Sequence, residues 1–213
     1  MQNINVLQRR PSPGSRPQPL AFDGTSLWMG SWDTDHLYEI EPKSGTVLRE
    51  IPAPGKPYGL AMFGSELRAV VSIGADDDRY FFRFDPGTGF DLSSKTPCPD
   101  FTGSHLAANG TTLYLAQMGN RRLLVLDGAY NIQREVPLPT RIGGLGFASG
   151  GLYVISADEE WENLHFSSLN GDAEHPQVSE IASIPFDARA LTFDGSAWWT
   201  SHREASEIVS FTP

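Results

Sequence analysis

One short proline-bearing segment returns along the chain and limits its fold more than any other feature. It reads Arg49-Glu50-Ile51-Pro52-Ala53-Pro54 and again Arg134-Glu135-Val136-Pro137-Leu138-Pro139. Thr96-Pro97-Cys98-Pro99 and Ile184-Pro185-Phe186-Asp187 are weaker copies, and Val6-Leu7-Gln8-Arg9-Arg10-Pro11-Ser12-Pro13-Gly14 is a fifth that matches Val47–Gly55 almost without gaps. The copies stand about 40 to 48 residues apart, the length of one four-stranded propeller blade.

After each junction comes a short apolar strand and a tight turn. The copies are Leu20-Ala21-Phe22-Asp23-Gly24, Leu60-Ala61-Met62-Phe63-Gly64, Leu106-Ala107-Ala108-Asn109-Gly110, Leu145-Gly146-Phe147-Ala148-Ser149 and Leu191-Thr192-Phe193-Asp194-Gly195. Asp-Gly and Asn-Gly supply the positive φ angles of a two-residue hairpin loop. A second strand follows (Leu27-Trp28-Met29 is the first of five), then a polar loop and a third strand such as His36–Ile40 or Arg122–Leu126. Pro42 and Pro86 end the third strand in two repeats, because proline cannot donate to a ladder.

The chain begins with what is elsewhere a fourth strand and stops where the other third strands stop. These complementary ends predict an all-β, five-bladed β-propeller in a single domain, residues 1–213. In it an N-terminal strand at about residues 4–10 completes the blade formed by about 188–213. An open β-sandwich is the alternative, but it does not predict such ends. With 39% hydrophobic and 20% charged residues, 21 Gly and 16 Pro, the composition is that of a globular, turn-rich domain.

The pattern Leu-Ala-Phe-Asp-Gly-x-x-Leu-Trp, then Ile-Glu-Pro-x-x-Gly, then Ile-Pro-x-Pro resembles blades of virginiamycin B lyase-like proteins, NHL-type repeats and the five-bladed glutamine cyclotransferases. The resemblance covers nearly the whole chain, but it lies in blade scaffolding. It implies the fold and leaves function to the site. The resemblance carries no catalytic residue of those enzymes over to a position of this sequence.

A formal net charge of −10 repels phosphate backbones and anionic lipid, so neither nucleic acid nor membrane is an expected partner. The single cysteine, Cys98, rules out an internal disulfide. With no leader-like or spanning segment, the expected setting is cytoplasmic, or that of the mature form of an exported protein. The aromatic residues are accounted for by core positions, so a monomer is expected.

Loops from the fourth strand to the next first strand, and from the second to the third, open on one face of such a ring. A position where one blade departs from its siblings is a candidate site residue. Directly before the repeated Leu the blades carry Pro19, Gly59, His105, Gly144 and Ala190; one residue earlier, Gln18, Tyr58, Ser104, Gly143 and Arg189. At the exit of the second strand the set reads Trp32, Ser72, Met118, Ala157 and His202.

The expected site therefore has His105 and His202 as proton-transfer groups, imidazole being suited to that work near neutral pH. Gln18, Trp32, Tyr58, Gln117, Met118, Trp161 and Arg189 would bind a small-molecule ligand. Trp28, Tyr114, Tyr153 and Trp199 share one repeat position and read as core between blades. The acidic loops Asp76-Asp77-Asp78, Asp158-Glu159-Glu160 and Asp33/Asp35 offer oxygen ligands for Ca²⁺ or Mg²⁺, but without calcium-loop spacing. No cofactor is expected, and a divalent cation stays open as an option. The functional expectation is a lyase, cyclase or hydrolase using acid–base chemistry at the channel mouth. The alternative is a propeller that binds a ligand or protein without chemistry.

Overall fold

The computed structural model describes residues 1–171 and 176–213. After an N-terminal strand β1 (Asn5–Pro11), the first blade is β2 (Pro17–Phe22), β3 (Leu27–Ser31), β4 (His36–Ile40) and β5 (Val47–Pro52). The second is β6 (Lys56–Phe63), β7 (Glu66–Ile73), β8 (Asp78–Asp85) and β9 (Gly89–Pro97). The third is β10 (His105–Asn109), β11 (Thr112–Gln117), β12 (Arg122–Leu126) and β13 (Ile132–Pro137). The fourth is β14 (Arg141–Ala148), β15 (Gly151–Ala157), β16 (Leu164–Asn170) and β17 (Gln177–Ile184). The fifth supplies β18 (Ala188–Phe193), β19 (Trp198–His202) and β20 (Glu207–Thr212).

Each sheet is an antiparallel meander of four strands, and the fifth has the order β1-β20-β19-β18. Asn5 pairs with Thr212 and Pro11 with Glu207, so the amino end closes the last blade as the repeat predicts. The latch extends further: Ile4 N–H donates to Ser183 O and Ser183 N–H to Gln2 O, each at 2.9 Å. Buried Ile4 packs there with Ala182, Ile184 and Phe211, tying blades four and five together. The first strands β2, β6, β10, β14 and β18 adjoin one another in a ring around the channel.

Aromatic side chains fill the gaps between blades. Trp28 meets Phe84 edge-on at 5.0 Å, Tyr114 meets Phe147 at 4.9 Å, and Tyr153 meets Trp198 at 5.0 Å. Fully burying such rings is worth a few kcal/mol each, which makes this layer the main source of cohesion.

The Asp-Gly turns depart from expectation. Blades two to four do close with two-residue loops, Phe63 pairing with Glu66, Asn109 with Thr112 and Ala148 with Gly151. In blades one and five the loop has four residues. Asp23 Oδ1 accepts from the backbone N–H of Thr25 and Ser26, while Oδ2 accepts from Trp28 Nε1 at 2.8 Å. Asp194 does the same for Ser196, Ala197 and Trp199. The carboxylate thus fixes both the turn and the indole that follows, and this outweighs the tighter loop.

Candidate functional site

The channel narrows at a waist of repeated Leu and small residues that leaves about 10 Å³, barely room for a water. Above it, on the face of the β3–β4-type loops, lies a cup of about 340 Å³. Two structural devices furnish its walls. Gln18, Tyr58 and Arg189 come from just inside the first strands of blades one, two and five, and in blade three Ser104 immediately precedes β10, with His105 one step deeper. The first residue after the second strand supplies Trp32, Met118 and Arg203. That residue opens a four-residue turn of one shape, in which Asp35, Arg121 and Ser206 take left-handed φ near 50° at the last position.

Blade four solves the same problem differently. Its wall positions are Gly143 and Ala157, but the longer loop 158–163 swings Trp161 into the space. A Cβ on Gly143 would lie 2.8 Å from the Trp161 ring, so the glycine is what lets the indole in. Asp158 holds the loop by accepting from Glu162 N–H at 2.8 Å and from the Asn163 side chain.

Seven expected site residues converge here: Gln18, Trp32, Tyr58, His105, Met118, Trp161 and Arg189. Gln117 and His202 do not. Both occupy the last residue of the second strand, one position before the wall, as Ser31 does in blade one. Side chains alternate faces along a strand, so a shift of one residue sends them away from the cup. Gln117 donates to Pro99 O and Thr102 O at 2.6 and 2.7 Å and accepts from Arg122, knitting a loop in place. His202 packs against Phe186 at 4.8 Å and lies 3.4 Å from Glu207, beside Arg9. Counting four residues on from the equivalent Trp28 and Trp199 gives Trp32 and Arg203, so Arg203 is the true sibling.

Four lining residues fell outside the sequence expectation: Arg79, Arg141, Arg203 and Ser104. With them the lining, among the described residues, holds four arginines and no carboxylate. Guanidinium groups lie over aromatic faces throughout: Arg79 over Tyr58 at 3.6 Å, Arg189 over Trp161 at 3.9 Å, Arg203 over Trp32 at 4.1 Å. Trp32 and Tyr58 touch in turn at 4.7 Å. Such stacking holds a planar cation in place while leaving its N–H edge free to bind.

Three of the arginines have carboxylate partners behind the wall. Asp77 takes Arg79 at 2.9 Å, Asp187 takes Arg189 at 2.8 Å, and Glu159 takes Arg141 at 3.3 Å. Arg203 donates to the Gln18 side-chain oxygen and, among the described residues, has no carboxylate within 4.0 Å. Burial lowers the Arg203 pKa, and burial together with the nearby Arg203 charge brings Arg189 down to about 10 despite Asp187. Both remain protonated at neutral pH.

His105 is 4% exposed, and no protein group among the described residues hydrogen-bonds its ring. Burial, then the charges of Arg189, Arg203 and Arg79, hold its pKa well below the usual imidazole range, so the ring is neutral. Burial likewise raises the Tyr58 pKa, and its hydroxyl donates to Asp77 at 3.0 Å.

Several carboxylates of the acidic loops hold protein groups. Asp77 also accepts from Ser72, Asp33 accepts from Ser15 and pairs with Arg16 at 3.6 Å, and Asp158 caps its own loop. Among the described residues no three His, Cys, Asp or Glu side chains gather as metal ligands would.

Neither the known protein families nor the curated proteins contain a match to this sequence. Solved structures do match in shape. Glutaminyl cyclase from Myxococcus xanthus superposes with a TM-score of 0.73 at 11% identity, over 99% of this chain and 97% of that one. The PQQ-bound aldose sugar dehydrogenase of Streptomyces coelicolor gives 0.61 at 12% identity over 99% and 81%. Virginiamycin B lyase from Staphylococcus aureus gives 0.52 at 12% over 97% and 98%. The chain is thus a five-bladed β-propeller on a scaffold that also serves enzymes, and at these identities the likeness is one of fold. No helix in the described residues is long and apolar enough to cross a membrane.

Proposed function

We propose that the protein is a small-molecule enzyme of lyase, cyclase or hydrolase type, with His105 as the single proton-transfer residue at the floor of the cup. One observation carries this reading: a neutral imidazole lines an open cavity with no protein partner for its ring among the described residues. A buried polar side chain usually has its hydrogen bonds met within the protein. Here a substrate would meet them. The three arginines that disfavour imidazolium also set its role. Bound negative charge offsets theirs, so His105 becomes a stronger base once substrate is in place. Arg189 and Arg203 would position the substrate, and Trp32, Met118 and Trp161 would shield it from water.

The second reading, a binding module without chemistry, draws on the lining itself: among the described residues the proton-transfer group beside His105 is Tyr58, which is held by Asp77. Incubating the protein with a library of small metabolites and reading product by mass spectrometry separates the two. The enzyme reading expects turnover that His105→Gln abolishes while ligand still binds. Ligands that bind the wild type and emerge unchanged, or turnover indifferent to His105→Gln, would support the module.

A further inference from the structure

A chain of net charge −10 places six of its 16 basic residues at one mouth of one channel: Arg16, Lys56, Arg79, Arg141, Arg189 and Arg203. Arg16 and Lys56 flank the rim over Trp32, at 5.2 and 5.9 Å. Acidic residues are plentiful in the same loops, yet among the described residues none lines the cavity. Burying guanidinium groups this close together is unfavourable: burial first, and then a neighbouring arginine charge, lowers the pKa of both Arg189 and Arg203. A fold does not need such a cluster to close: the matching positions in other blades are Ser72, Met118, Ala157 and Gly143.

We infer that the ligand of the cup is a small organic monoanion, a carboxylate on a compact apolar body, with the carboxylate on Arg203 and Arg189 and the body against Trp32, Met118 and Trp161. The inference rests on the reading that the cup is the functional site. Its sign follows from the lining, where the donors are guanidinium edges and, among the described residues, the carboxylates that answer them stand behind the wall rather than in the cup. Its magnitude follows from the pairing. Asp77 and Asp187 already answer Arg79 and Arg189, and Glu159, shared with Arg121, answers Arg141, which among the described residues leaves Arg203 as the lining arginine without a carboxylate. For the four lining arginines one negative charge completes the pairing, whereas a dianionic phosphate would add repulsion against Asp77 and Asp187. Its size follows from the cavity, about 340 Å³, which suits a metabolite-sized molecule. The 4% exposed His105 ring, with no protein partner, is a second polar group turned to this ligand.

The test uses probes of one shape and different charge. Benzoate, benzamide, benzylamine and phenyl phosphate are titrated into the intact protein by calorimetry. Benzoate is expected to bind at least ten-fold tighter than benzamide, benzylamine not at all, and phenyl phosphate more weakly than benzoate. Arg203→Gln should cost benzoate at least ten-fold and leave benzamide unchanged, with Arg203→Met as the second variant should the first fold poorly. Equal affinity for benzoate and benzamide, no benzoate binding at millimolar concentration, or benzoate binding untouched by both variants would overturn the inference. Phenyl phosphate binding as tightly as benzoate would overturn the monoanion. His105→Gln keeps the two claims apart, since it should retain benzoate binding while removing turnover. Turnover that survives it removes the enzyme and leaves the anion site standing.

Discussion

The two mouths of the channel are made from the same five strands and differ in nearly every respect. Below the waist the lining is the repeat itself: Leu20-Ala21-Phe22, Leu60-Ala61-Met62, Leu106-Ala107-Ala108, Leu145-Gly146-Phe147 and Leu191-Thr192-Phe193, around a space of about 150 Å³. Above it the repeat dissolves, and Gln18, Tyr58, Ser104, Gly143 and Arg189 stand at one equivalent position. Ring closure demands five similar contacts at the waist and in the gaps between blades. The upper mouth faces solvent, so no such demand applies, and each blade's residue there is free to serve a ligand. The lower mouth is therefore packing, and the upper mouth a candidate site.

The largest expected effect tests whether the repeated positions carry the stability. Trp28 is fully buried between blades, so Trp28→Ala should cost roughly 3–5 kcal/mol in urea unfolding. Trp161→Ala, at the upper mouth, should cost clearly less and instead weaken ligand binding. Equal losses would erase the distinction between the mouths. Next comes the waist. A Cβ on Gly144 would sit 2.5 Å from the Ala190 backbone, so Gly144→Val should destabilise by about 1–3 kcal/mol.

A gain in stability would sharpen the comparison further. Arg203 is a half-buried charge without a carboxylate partner and close enough to Arg189 to lower its pKa. Arg203→Met should therefore raise stability by about 0.5–2 kcal/mol while removing benzoate binding. A loss of stability would make Arg203 scaffold.

The pH dependence is smaller. The His105 pKa is depressed in the fold, so between the unfolded value near 6.5 and its low native value the unfolded chain holds the extra proton. Stability should therefore fall as pH drops below 6.5, and His105→Gln should remove that part of the slope, read as urea midpoints at about pH 7 and about pH 5. The smallest effect belongs to His202→Ala. This half-buried residue outside the cup should change stability by about 0.5 kcal/mol or less and ligand binding not at all.

The fold was legible because closure writes itself into the chain five times. Pro52, Pro137 and the Leu-Ala-Phe strands mark blades, and Val6–Gly14 matches Val47–Gly55. The site was legible only where departure from the repeat could be aligned. Tyr58, Arg189 and His105 precede the repeated Leu by one or two residues, and there the alignment has no slack. After the second strand it does: aligning Trp32 with His202 misses Arg203 by one residue, which in a strand means the opposite face. Arg79 enters from a third strand, and Arg141 from two residues before its blade's wall position, neither of which the repeat comparison covered. Trp161 was found as an indole in a loop, but its partnership with Gly143 needed the three-dimensional fit.

The decisive measurement is a histidine-selective NMR titration of the protein with and without benzoate. The account expects the His105 ring to stay neutral well below pH 6.5 in the free protein, and its resonances to shift when benzoate fills the cup. Those of His36, His165 and His202 should hold still. A His105 that titrates as an exposed imidazole does and ignores benzoate would show that the upper mouth is ordinary surface.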